Sequence, residues 1–220
     1  MLATCVARLI HMRTALKRMT KSSRSPAALS MEISDHAQVA IDFAHEVYFE
    51  WDRECAIVQG YGPTVMWDSL GRGDTSFTGC GGFLVDGASL RAFYHFWSEQ
   101  ELQRALVADT YSTTVLELMG AGAWANMFGP YVKSTRVQLE MDCAPAVIDI
   151  LKAFSALPVV LECVTEFRLA CARSNIHLRT RHVLGEVFNK IADALSRDNL
   201  AEACRVAKVE FDMELTLMAA

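Results

Sequence analysis

The chain has 220 residues, 52% of them apolar and 21% charged, with a formal net charge of −5 at pH 7. That balance describes a globular chain able to build a core, and it excludes both a disordered chain and a uniformly basic protein that coats nucleic acid. The length fits one domain, or one domain with an appendage.

The overall charge hides an asymmetry. Residues 1 to 25 contain Arg8, Arg13, Lys17, Arg18, Lys21 and Arg24 and no acid. Val6, Ile10, Ala15 and Met19 recur there at roughly helical spacing. This basic start is compatible with an organelle transit peptide or with an ordinary helix carrying a basic face. The run "TKSSRSP" interrupts it, because serine favours turns and proline cannot continue a helix. "ISDHAQVAIDFAHEVYFEWDREC" predicts a long helix capped by Ser34, with Val39, Phe43 and Val47 near one side. "QGYGP" ends it.

From Thr64 the period changes. "TVMW" reads as a short strand, "DSLGRG" as a glycine-rich loop, and "GGFLV" as the strand it feeds. "SLRAFYHFW" is aromatic and β-prone, so the three strands form an antiparallel meander. "STTVLELMGAGAWANMF" predicts a helix with apolar residues at 115, 116, 119, 123 and 127. "TRVQLEMD" places Val137, Leu139 and Met141 on one face of a strand that ends at Asp142. "CAPAVIDILKAF" and "PVVLECVTEFRLACARS" are helical, the second with proline at its permissive start. "NIHLRT" is a strand, and "EVFNKIADAL" and "NLAEACRVAKVEF" are helices. Strands and helices in this order predict an α/β fold: a mixed sheet flanked by helices, with extra helices at the N-terminus.

The seven cysteines form no CxxC pair, and their odd number fits no closed disulfide scaffold. No apolar run is long enough to span a bilayer, so no membrane association is expected. The localisation stays open, with an intracellular setting, cytoplasm or nucleus, expected ahead of secretion.

Four carboxylates stand at comparable places. Asp74 lies in the turn toward the hairpin, Glu117 one turn into a helix, Asp142 at a strand end and Asp193 within a late helix. Crowded together they would repel and raise one another's pKa values. A hard divalent cation removes that conflict, because Mg²⁺ takes oxygen ligands and keeps positions for water and phosphate. Two such ions about 4 Å apart can activate water and stabilise the leaving oxygen of a phosphodiester. Each acid alone would read as a solvated surface group.

Four stretches carry a family resemblance in family order: "DTSFTGCGGF", "TVLELMGAGAW", "VQLEMDCAPAVIDIL" and "NIHLRTRHVLGEVFNKIADALSR". The chain resembles the ribonuclease H domain of retrotransposon reverse-transcriptase polyproteins, Ty3-like and DIRS-like, over about 63 to 199. The closing "ADALSR" is its most specific part. Residues 1 to 62 look like the helical connection segment upstream, and 200 to 220 form a C-terminal helix or tail. With no polymerase core in the chain, the resemblance implies a detached remnant or an excised part of a longer polyprotein, and a separate polymerase domain as a possible partner.

The resemblance implies a ribonuclease-H-like fold and cleavage of the RNA strand of RNA–DNA hybrids, with two Mg²⁺ ions (or Mn²⁺) held by Asp74, Glu117, Asp142 and Asp193. His182 is similar to a mobile-loop histidine that assists metal release or leaving-group protonation. Ser76, Asn189, Arg179 and Arg181 are expected substrate contacts, and Asn175 is a further candidate. Two points stay open. Asp68 follows "TVMW" directly and competes with Asp74 for the first position, where Asp74 has the better glycine pattern. Cys143 stands where members carry asparagine and cannot supply an amide's paired donor and acceptor. The alternative reading is therefore an inactive ribonuclease-H-like remnant that binds nucleic acid or protein.

Overall fold

The computed structural model describes residues 68–218, apart from residue 134 and the side chain of Glu186. The expectations for residues 1 to 67, including the N-terminal helices, the "TVMW" strand and the boundary at 62, lie outside the described residues.

A six-stranded mixed sheet organises the chain, in the order β5-β4-β1-β2-β3-β6. β1 (Ser69–Thr75), β2 (Gly79–Asp86) and β3 (Ser89–Phe96) form the antiparallel meander. β4 (Arg136–Met141) lies parallel to β1, and β5 (His177–His182) parallel to β4. The short β6 (Leu215–Leu217) adds to β3 in parallel. Meander, parallel strands and flanking helices make up the architecture that the resemblance implies.

β1 corrects the sequence reading. "DSLGRG" is the central strand rather than a loop, and the reason is packing. A Cβ on Gly71 would lie 2.3 Å from Cζ2 of Trp124, so the glycine leaves room for the indole against the strand. The indole is fully buried, and its Nε1 donates to the Phe83 carbonyl at 3.0 Å. Glycine's poor strand propensity is outweighed by this contact and by ladders on both sides.

Helices cover both faces. α1 (Glu99–Leu106) opens with a capping box between Ser98 and Glu101. A 3-10 turn (Asp109–Tyr111) leads into α2 (Ser112–Phe128), which α4 (Pro158–Arg173) backs. Val115, Leu118, Trp124, Phe128, Val164 and Phe167 fill the core on that side. Of the apolar positions expected to face the core, Val115 and Leu116 are buried while Met119, Ala123 and Met127 are half-buried, and burial continues instead through Ala121, Trp124 and Phe128. The sheet and α4 both pack against the helix, so its buried surface is wider than one apolar stripe. β4 keeps its expected face, with Val137, Leu139 and Met141 buried. α3 (Ala144–Lys152) follows it directly.

On the opposite face, the expected single helix is two: α5 (Gly185–Phe188) and α6 (Lys190–Ser196). They meet at Asn189, whose φ of −114° and ψ of 20° break the helical path. α6 and α7 (Leu200–Phe211) close the second core through Ile191, Leu195, Val206 and Ala207 against Phe83 and Leu90. Val187, expected on the apolar face, is 52% exposed. The break at Asn189 keeps the apolar face of α6 from continuing through α5. The described cysteines are all free, and among the described residues no helix is long and apolar enough to cross a membrane.

Candidate metal centre

The parallel register between β1 and β4 determines the site. Arg72 stands opposite Glu140, and two residues further along each chain are Asp74 and Asp142, at the same edge of the sheet. α2 supplies the third acid, Glu117, from its buried face. Carboxylate oxygens of Asp74, Glu117 and Asp142 all lie within 4.8 Å of one another. Asp74 and Glu117 are buried and Asp142 half-buried.

Burial first, and the Asp142 charge second, push the Asp74 carboxyl up to about 7; the Ser196 hydrogen bond opposes that rise and the Asp193 charge adds to it. Burial, followed by the Asp74 charge, holds Glu117 well above the usual carboxylate range, against a hydrogen bond from Thr75. Thr75 Oγ1 donates to Glu117 Oε1 at 2.7 Å, while Glu117 Oε2 is buried without a hydrogen-bond partner. Buried acids with no cation among them are an unfavourable arrangement. A divalent cation fits this set: the donors are all hard carboxylate oxygens, and one oxygen is buried with nothing else to bind.

The other expected residues are spread around this cluster. Asp193 is not one of the three. Its Oδ1 accepts from Arg197 Nε at 2.8 Å, at the rim of an open cleft of about 580 Å³ that Asp142, Lys190 and Asn199 also line. His182 closes β5, with Nε2 3.0 Å from the Asp142 carbonyl oxygen. Arg179 and Arg181 are exposed on β5, and Arg181 lies 3.7 Å from Glu140. Ser76 organises the β1–β2 turn: its Oγ accepts from the backbone of Thr78 and donates to the Ser196 carbonyl at 2.6 Å. Asn189 is fully buried, its Nδ2 donating to the Gly73 carbonyl at 2.9 Å. Asn175 precedes β5 in a left-handed turn, φ 50°, at the sheet edge opposite the acids. Cys143 caps α3, half-buried, and burial raises its thiol pKa.

Asp68 lies at the far end of β1 from Asp74. It accepts from the Arg136 backbone at 2.9 Å and from the guanidinium at 3.2 and 3.0 Å. Those bonds lower its pKa. The first acid of the cluster is therefore Asp74.

The sequence reading gives no role to three contributors. Thr75 and Ser196 hydrogen-bond the acids, and Gly185 lets α5 approach Asp142 so closely that a Cβ would lie 2.1 Å from Oδ2. Thr75 adjoins Asp74 in sequence, and Ser196 falls within "ADALSR". Those neighbourhoods were the available signals.

No protein-family model and no curated protein matches the chain. Among solved structures it is similar to ribonuclease H1 of the halophilic archaeon Halobacterium salinarum, with 14% identity and a TM-score of 0.43 over 61% of this chain and 97% of that one. It is also similar to the N-terminal ribonuclease H domain of a Mycobacterium tuberculosis protein, with 14% identity and a TM-score of 0.42 over 64% and 99%. A third is a compost-derived ribonuclease H1 solved with an RNA/DNA hybrid, with 16% identity and a TM-score of 0.42 over 61% and 96%.

Proposed function

We propose that this chain is a metal-dependent endonuclease of the ribonuclease H type, which cleaves the RNA strand of RNA–DNA hybrids. The observation that carries the reading is the meeting of Asp74, Glu117 and Asp142 within 4.8 Å at one sheet edge, with a buried oxygen of Glu117 left without a partner. Three of the four motifs that resemble retrotransposon ribonucleases H supply these three acids and the fourth supplies Asp193; together they support a retrotransposon origin with a polymerase as former partner. Residues 63 to 199 are then the nuclease, 1 to 62 its connection segment and 200 to 220 its C-terminal helix and tail.

Asp74, Glu117 and Asp142 would hold the cations, Mg²⁺ by preference and Mn²⁺ as substitute, and Asp193 would join them from the rim on leaving Arg197. A pair of cations held there would supply an activated water and neutralisation of charge on the departing 3′ oxygen. His182, whose Nε2 lies beside the Asp142 carbonyl, would assist metal release or leaving-group protonation, the role that the resemblance implies. Arg179 and Arg181 offer β5 to backbone phosphates, a contribution that weakens with salt. Contacts to 2′-hydroxyls would separate RNA from DNA. Ser76 and Asn189 act from within, holding the turn and strand that present Asp74.

A second reading, a hybrid binder without activity, is favoured by the Arg197 contact to Asp193 and by Cys143. End-labelled RNA in a hybrid, incubated with Mg²⁺ and the full chain, separates the two. The nuclease reading predicts fragments with 3′-hydroxyl and 5′-phosphate ends, lost in Asp142→Asn while its circular dichroism is unchanged. Binding without cutting would establish the second reading. Neither binding nor cutting would refute both.

A further inference from the structure

We infer that Ser196 is a positioning residue for Asp74, fixing the direction of its carboxylate by locking the end of α6 onto the end of β1. The inference rests on the metal-centre reading above.

α6 is seated on the sheet by apolar side chains, chiefly Ile191 and Leu195. Its approach is close: a Cβ on Gly81 would lie 2.4 Å from the Leu195 Cβ and 2.8 Å from the Ala192 carbonyl oxygen. Apolar packing of this kind is non-directional and leaves the rotation of a neighbouring carboxylate free. Direction comes from polar side chains at the two ends of the helix. Asn189, just before it, is 0% exposed and donates to the Gly73 carbonyl at 2.9 Å. Ser196, its last residue, is 1% exposed, and its Oγ lies 2.9 Å from Asp74 Oδ2. The Ser196 carbonyl in turn accepts from Ser76 Oγ at 2.6 Å. The strand end is thereby gripped at Gly73, Asp74 and Ser76.

An ordinary explanation exists for part of this. A serine at a helix end commonly bonds a carbonyl in the preceding turn, and the Asp193 carbonyl oxygen is also 2.9 Å from Ser196 Oγ. That bond does not account for the approach to Asp74. A hydroxyl carries one proton and serves one acceptor at a time. When Asp74 is ionised beside a cation, its carboxylate is the stronger acceptor. Occupying Oδ2 then fixes the torsion of the carboxylate and so aims Oδ1. The same bond ties Asp74 to the helix that carries Asp193.

The test is Mn²⁺ binding to the full chain without substrate, followed by the paramagnetic signal of free Mn²⁺, with thermal unfolding measured alongside. Loss of a residue that orients a metal ligand weakens metal binding roughly 10- to 100-fold. Ser196→Ala is expected in that range, and Ser196→Cys, which keeps a weak donor of similar shape, between it and the wild type. Val206→Ala loosens the second core without touching Asp74 and should melt earlier with Mn²⁺ affinity retained. In hybrid cleavage, Ser196→Ala should need more Mg²⁺ to reach half-maximal rate, with an unchanged KM for hybrid. Wild-type affinity in Ser196→Ala overturns the inference, and so does an equal loss in Val206→Ala. A wild-type chain that binds no Mn²⁺ overturns instead the metal-centre reading on which the inference stands.

Discussion

Replacing Asp74 by Asn removes a charge that the metal-free fold holds at a cost. Asp74 titrates at about 7 instead of the ordinary 3.8, through burial and then the Asp142 charge. Between those two pH values the folded chain retains a proton that the unfolded chain has released. This contribution to stability therefore falls as pH rises from 3.8 and is fully lost above about 7. Converted to free energy, the ionised Asp74 costs the metal-free fold about 4 kcal/mol. Asn keeps an oxygen for the Ser196 hydroxyl and adds an amide donor that can face Asp142. Some of the gain is returned because the amide is itself buried, leaving a stabilisation of roughly 2 to 4 kcal/mol at about pH 8. For a chain of this size that raises the melting temperature by roughly 4 to 15 °C. The assay is thermal unfolding by circular dichroism in a chelator at about pH 8 and about pH 4, then with excess Mg²⁺. The advantage of Asp74→Asn should nearly vanish at the lower pH, where wild-type Asp74 is itself protonated. With Mg²⁺ the wild type should gain stability and the variant should not. A variant no more stable than wild type at the higher pH, or one whose gain ignores pH, refutes the reasoning.

Gly185→Ala places a Cβ 2.1 Å from Asp142 Oδ2; the carboxylate can rotate away, so we expect melting within a few degrees of wild type and cleavage down at least roughly 10-fold, read as initial rate on hybrid. Gly71→Ala drives a methyl into the Trp124 ring at 2.3 Å and should cost roughly 1 to 3 kcal/mol, seen in the denaturant midpoint, because neither indole nor central strand can retreat. Asp68→Asn, remote from the acids, should leave the cleavage rate unchanged and lower stability by under about 1 kcal/mol, as for an exposed ion pair.

Much of the fold could be read from patterns with a single physical cause. The alternation of Val137, Leu139 and Met141 marked β4 because one face of that strand meets the core. β1 defeated the same reasoning. Its glycines look like a loop until the indole of Trp124, more than fifty positions on, is placed against Gly71. α1 passed unnoticed although Ser98 and Glu101 spell a capping box. β6 passed because three residues on an edge carry no period.

The acids followed the same division. Asp74, Glu117 and Asp142 were found through family-like motifs, and the structure brings them together. The ladder puts Asp74 and Asp68 at opposite ends of β1, and Asp74 is the one that lies with Glu117 and Asp142. That Asp193 would turn to Arg197, or that Asn189 would be buried against Gly73, depends on a break between α5 and α6. No local sequence rule announces that break. Ser196 and Gly185 act on Asp74 and Asp142 across 122 and 43 positions respectively, contacts that only the folded chain shows.

Three carboxylates, at the ends of β1 and β4 and within α2, make up the proposed cation site. Its most direct measurement is a crystal of the full chain soaked in Mn²⁺, with anomalous scattering collected at a wavelength sensitive to manganese. A peak coordinated by Asp74, Glu117 and Asp142 is expected, absent from the Asp142→Asn protein. A soaked crystal with no peak at these acids, or with manganese bound only elsewhere, would contradict the proposed site.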